Sequence, residues 1–149
     1  WLREMLWSQT RGAMRVWYDM DESGTEDGMR CGVTKSVVFV LILSAGVLKR
    51  PFCQLEVAVA LQQNKQIVLL HETSRTHGGE AVERVLEEGV AFSTDLANIN
   101  AGRVHLTEAQ IRSLRDYPCL PFLRGVNTRS AVLLPLLKLL GAIPSHESR

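Results

Sequence analysis

Cysteine is scarce: Cys31, Cys53 and Cys119 are the three in 149 residues. They are odd in number, far apart and each set among apolar neighbours, a pattern that suits a disulfide framework less well than free thiols. Buried thiols in a reducing, intracellular compartment are expected instead. Charge of one sign is lacking too, since 17 Lys and Arg stand against 16 Asp and Glu. So small a net charge sets up no field that would hold nucleic acid or an anionic bilayer, and neither is expected as a partner. The longest uninterrupted apolar run, Val37 to Leu43, is far short of the roughly 20 residues a membrane-spanning helix needs. The opening "WLREMLW" carries charges where a signal peptide would be apolar. There is no Walker-type lysine, and the glycines of "ESGTEDG" sit among acids that would repel a phosphate. His71, Glu72 and His77 do not have the spacing of a closed metal-ligand set, so no metal is expected. No internal repeat and no low-complexity segment interrupts the chain.

The residues that are present have the balance of one globular domain, with 46% hydrophobic and 22% charged. We assign 1–143 to that domain and 144–149, "PSHESR", to a polar tail. The chain begins at Trp1 rather than Met, as a piece of a longer product or an incomplete gene model would. "MRVWYDMD" carries β-branched and aromatic residues and stops at acids. "SVVFVLILS" and "QIVLLHE" are apolar on both faces, the mark of parallel strands covered on two sides. Between them "GMRCGVTK" reads as a short helix. "PFCQLEVAVALQQNK" reads as a longer one, with Pro51 at its first position. Strand, helix, strand, helix, strand is the α/β pattern. Further on, "EAVERVLEEG" reads as an amphipathic helix stopped by Gly89, and "CLPFL" as a strand held to a sheet edge by its proline. "TRSAVLLPLLKLLGAIP" reads as a closing helix with Pro135 in its first turn or at a kink.

In an open parallel sheet, ligands bind beyond the carboxyl ends of the strands. The residues leaving the expected strands are Asp19 and Asp21, Ser44, and His71 with Glu72. Glu56 stands apart from this rim. At about 100° per residue it borders the apolar stripe of Phe52, Val59 and Ala60, so it is at least partly shielded. A shielded carboxylate is ion-paired, hydrogen-bonded, or raised in pKa toward use as an acid, base or cation stabiliser. A structural pair with an Arg or Lys and a catalytic role both satisfy that requirement. Cys53, on the same helix, reads as a small core residue.

The stretch from "VWYDMDESGTEDGM" through "GVTKSVVFVLILSAGVLKRPFCQLEVAVALQQNKQIVLLHE" resembles a Toll/interleukin-1 receptor (TIR) domain. The matching parts are the second strand and BB loop, the third strand ending in Leu-Ser, the third helix with its aromatic-Cys-x-x-Glu pattern, and the fourth strand. The resemblance implies a flavodoxin-like three-layer parallel sheet of order 2-1-3-4-5, here N-terminally truncated. "WLREMLWSQTRGA" takes the place of the first helix, which leaves no first strand. The resemblance places Glu56 where enzymatic TIR domains carry the glutamate that cleaves the nicotinamide–ribose bond of NAD. Such cleavage passes through an oxocarbenium-like state, which a sheltered carboxylate stabilises. Phe52 takes the usual Trp position, Ser44 closes the third strand, and both would line the nucleotide cleft together with Asp19. Asp19 to Met29 would form the BB loop, which gates that cleft and docks on the next TIR domain. Arg50 and Pro51 depart from the family, which has a small residue shortly before the aromatic.

The resemblance further implies a cytoplasmic signalling domain of the innate-immunity type, associating with other TIR domains. NAD would be its substrate and no cofactor would be required. The alternative is a non-catalytic TIR scaffold or degenerate fragment acting through protein contacts alone. Outside the family stands a receiver-like phosphoacceptor using Asp19.

Overall fold

In a computed structural model, the described residues are 2–11, 14, 16, 17, 25–99, 105–123 and 132–141. Their helices are α1 (Leu2–Gln9), α2 (Glu26–Lys35), α3 (Pro51–Gln62), α4 (Val82–Ile99), α5 (Glu108–Ser113) and α6 (Leu134–Leu139). The strands β1 (Val38–Leu43), β2 (Gln66–Glu72) and β3 (Cys119–Phe122) form one parallel sheet in the order β1-β2-β3.

The side-chain alternation of the strands divides the core into two layers. Leu41 and Leu43 of β1 and Ile67 and Leu69 of β2 face a cluster supplied by α2, α3, α4 and α5. Val68 and Leu70 of β2 and Phe122 of β3 face a second cluster with Leu6 of α1 and Leu136 and Leu137 of α6. The molecule is therefore an α/β structure with helices on both faces of a parallel sheet.

Sequence chemistry accounts for the helix ends. Thr25 caps α2, its hydroxyl oxygen accepting from the Gly28 N–H, and Glu26 and Asp27 occupy the first turn. At the other end Lys65 Nζ donates to the carbonyls of Thr34 and Ser36, both at 2.7 Å, which satisfies acceptors left over by the helix. α3 begins at Pro51 as expected, after an extended Arg50. From Leu55 to Ala60 every residue of α3 is buried except Glu56, because sheet, α2, α4 and α5 enclose the helix. Thr107 and Gln110 form a reciprocal capping box on α5, and Pro135 lies in the first turn of α6.

Several expectations are corrected. Met14, Val16 and Trp17 of "MRVWYDMD" are not in a strand, and 18–21 lie outside the described residues. Trp17 packs its indole on Gly32 of α2 so closely that a Cβ there would overlap the ring. Burial on both faces holds for β2, which has a strand on each side, but not for β1. Ile42 is 39% exposed, because β1 is an edge of the described sheet. The three cysteines are not buried thiols: Cys31 and Cys119 are exposed and Cys53 is half-buried. Among the described residues, no helix is long and apolar enough to cross a membrane.

Gly89 does not stop its helix, since α4 runs through it to Ile99. Glycine is needed there for contact rather than termination, because a Cβ would lie 2.8 Å from Cβ of the buried Leu48. Gly89→Ala gains up to about 1 kcal/mol of helix propensity and loses about 1–3 kcal/mol to overpacking. A net destabilisation is expected, read as a lower urea midpoint with an unchanged slope.

Candidate functional site

The three strands end at one level, Leu43 opposite His71 and Glu72 opposite Phe122. Beyond β1, Ser44 is half-buried and the Ala45 N–H donates to the Gly78 carbonyl at 2.7 Å, tying this turn to the loop after β2. Gly46 has φ +73°, and its N–H donates to Glu88 Oε2 at 3.3 Å. The same oxygen is 3.4 Å from Lys49 Nζ, so α4 fixes the turn that leads into α3.

On α3, Phe52 is 46% exposed and Glu56, one turn later, is half-buried. Glu56 is not without a partner. The shielding expected from periodicity is thus observed, while Phe52 lies toward solvent rather than with Val59 and Ala60. Asp19 and Asp21 lie outside the described residues. Of the expected BB loop, Glu26 to Met29 form the first turn of α2.

Gln54 and Glu72 carry more burial than Glu56, as does Ser93. Gln54 is fully buried. Its Nε2 donates to the Leu48 carbonyl (2.7 Å) and to Ser93 Oγ (2.9 Å), and its Oε1 accepts from the Leu106 N–H (3.2 Å) and from Ser93 Oγ (3.1 Å). One amide thereby joins the turn before α3, the middle of α4 and the approach to α5. Glu72 is 1% exposed, and its Oε1 accepts from the Ser74 N–H at 2.9 Å. The signals for both were in the sequence. Between Pro51 and Leu61 the polar side chains are Gln54 and Glu56 alone, and a helix apolar on all sides is enclosed on all sides. Glu72 continues the period-2 series of the buried Val68 and Leu70.

The remaining rim residues are engaged locally. His71 Nε2 lies 2.6 Å from the Glu80 carbonyl, which can only accept, so this nitrogen carries the proton. His77 Nδ1 is within 3.0 Å of Ser74 Oγ and 3.1 Å of Thr76 Oγ1. Among the described residues no group of three or more His, Cys, Asp and Glu is arranged to hold a metal ion.

Two adjoining clefts open at this end of the sheet. One, of about 330 Å³, is lined by His71, Glu72, Thr73, Arg75, Gly79, Glu80 and Ala81. The other, of about 500 Å³, takes in Ala45, Gly78 and Arg84 and shares Arg75, Gly79 and Glu80 with the first. Glu56, Phe52 and Ser44 line neither.

Cys119 stands on the edge strand, where partial desolvation by its neighbours, with a smaller contribution from the Glu83 carboxylate, pushes the exposed thiol up. Its alkylation by iodoacetamide is expected to be slower at a given pH than that of an unperturbed thiol, because less of it is thiolate. Glu83→Gln should speed that reaction, read by mass spectrometry of the Cys119 peptide. Gln54→Leu leaves the Leu106 N–H and Ser93 hydroxyl short of a buried partner. It should cost about 2–3 kcal/mol in urea unfolding.

No protein-family model, curated protein or solved structure matches the chain.

Proposed function

We propose that the chain is a TIR-type signalling domain that acts by association with other TIR domains and that cleaves the nicotinamide–ribose bond of NAD with Glu56. The observation that carries this reading is the placement of Glu56. It is a half-buried carboxylate on the second turn of the helix that leaves β1, one turn beyond Phe52, near the carboxyl ends of a parallel sheet.

The helical layers support a flavodoxin-like, TIR-type arrangement. α1 and α6, first and last in the chain, lie on one face, and α2 to α5 lie on the other. The order β1-β2-β3 is that of the last three strands in 2-1-3-4-5. A carboxylate in such a place can stabilise the cationic ribosyl centre as nicotinamide leaves, and water then completes the hydrolysis. Phe52, exposed at the start of α3, would offer its ring to the nucleotide.

A non-catalytic scaffold is the second reading. It is favoured by the absence of Glu56 from both clefts and by the 46% exposure of Phe52, which suits a protein contact. Incubation with NAD at high protein concentration separates the two. The enzymatic reading expects nicotinamide release by the wild type and a loss of at least about a hundredfold in Glu56→Gln, with the circular dichroism spectrum unchanged. Equal turnover in wild type and variant would remove Glu56 from the mechanism. No turnover in either would leave the scaffold reading.

A further inference from the structure

We propose that the guanidinium of Arg50 receives the diphosphate of the nucleotide substrate. This role rests on the reading of Glu56 as the group that cleaves NAD, and it makes Arg50 the residue that selects a substrate carrying a diphosphate.

Arg50, Phe52 and Glu56 follow one another at the start of α3. Phe52 and Glu56 are four positions apart, about 6 Å along the axis and about 40° in direction, so they lie on one side of the helix. Arg50 is the extended residue immediately before Pro51, roughly 9 Å from Glu56 by the helical rise. In NAD one ribose separates the bond that breaks from the diphosphate. With the ribosyl centre at Glu56 and the ribose against the exposed ring of Phe52, the diphosphate arrives where Arg50 stands.

The backbone of Arg50 is held on both sides. Its N–H donates to the Val47 carbonyl at 3.2 Å, and its carbonyl accepts from the Gln54 N–H at 3.1 Å. The buried Gln54 amide in turn donates to the Leu48 carbonyl at 2.7 Å. The Arg50 side chain is exposed and makes no hydrogen bond or ion pair among the described residues, so its donors are unspent. Two parallel N–H groups of a guanidinium match two phosphate oxygens, which a lysine cannot do.

Two carboxylates bear on this end of the helix. Glu88 Oε2 is 3.4 Å from Lys49 Nζ and accepts from the Gly46 N–H, so it is already engaged and offsets the charge of Lys49. Glu56, a helical turn and a half away, faces the cationic ribosyl centre rather than the diphosphate. Arg50 is thereby the cation left for the substrate. The TIR pattern has a small residue in this stretch, so the resemblance does not supply this role.

The test is calorimetric titration of the full chain with ADP-ribose, which keeps the diphosphate and lacks the bond that breaks, beside the NAD turnover assay. A Kd below about 1 mM is expected for the wild type, weakened at least about tenfold in Arg50→Gln and less in Arg50→Lys. Arg75→Gln, in the clefts beyond β2, is the control and should bind as the wild type does. Added salt should weaken binding, and Arg50→Gln should keep the wild-type circular dichroism spectrum. In turnover of NAD, Arg50→Gln should raise KM by a larger factor than it lowers kcat. No binding of ADP-ribose, or affinity unchanged in Arg50→Gln, would overturn the role of Arg50, whereas Glu56→Gln alone decides the cleavage reading. Binding that depends on Arg50 without turnover by the wild type would keep Arg50 as the diphosphate-binding residue and remove the chemistry.

Discussion

β2 is the strand that cannot be left uncovered. Ile67, Val68, Leu69 and Leu70 are each no more than 1% exposed, and they point alternately to opposite faces. Each such side chain contributes about 1.5–3 kcal/mol when buried, and that gain is realised only if both faces are packed. α3, α4 and α5 cover one face, while α1 and α6 cover the other. The parallel neighbours β1 and β3 complete the backbone pairing. A sheet with two buried faces and parallel strands leaves its carboxyl edge as the place where polar groups gather, and Ser44, His71, Glu72 and the two clefts are found there.

The enclosure of α3 comes from the same requirement. Once the helix is surrounded, its polar side chains must find partners inside the protein or face the carboxyl edge. Gln54 takes the first course, with hydrogen bonds to three separate segments. Glu56 stays half-buried and engaged. The rigidity that Gln54 gives to the start of α3 is what a carboxylate with a chemical task would need two residues later. The glycines near this edge serve contact: Gly79 lets its loop close, and Gly89 lets α4 approach Leu48.

Elements with strong local signals were readable from the residues alone. Pro51 marked the start of α3, apolar runs marked β1 and β2, and β3, which contains Pro121, is an edge of the described sheet. The misread features depended on partners distant in sequence. Gly89 looked like a terminator because its close approach to Leu48, 41 positions away, leaves no local trace. The cysteines looked buried from their neighbours, yet Cys31 sits on the outer side of α2 and Cys119 on an edge strand. Glu72 is a different case: it looked like a wet strand end and is buried, although it continues the local period-2 series of Val68 and Leu70. Glu56 was legible as a shielded carboxylate, and the chemical role proposed for it rests on the resemblance of its surroundings to a TIR domain.

The central functional claim is that NAD meets this protein at the start of α3. Amide chemical-shift mapping of the isotopically labelled chain during titration with NAD tests it most directly. The account predicts perturbations centred on 44–57, covering the turn after β1 and the first two turns of α3. Perturbations confined to the loop after β2, or none as NAD is raised, would contradict it.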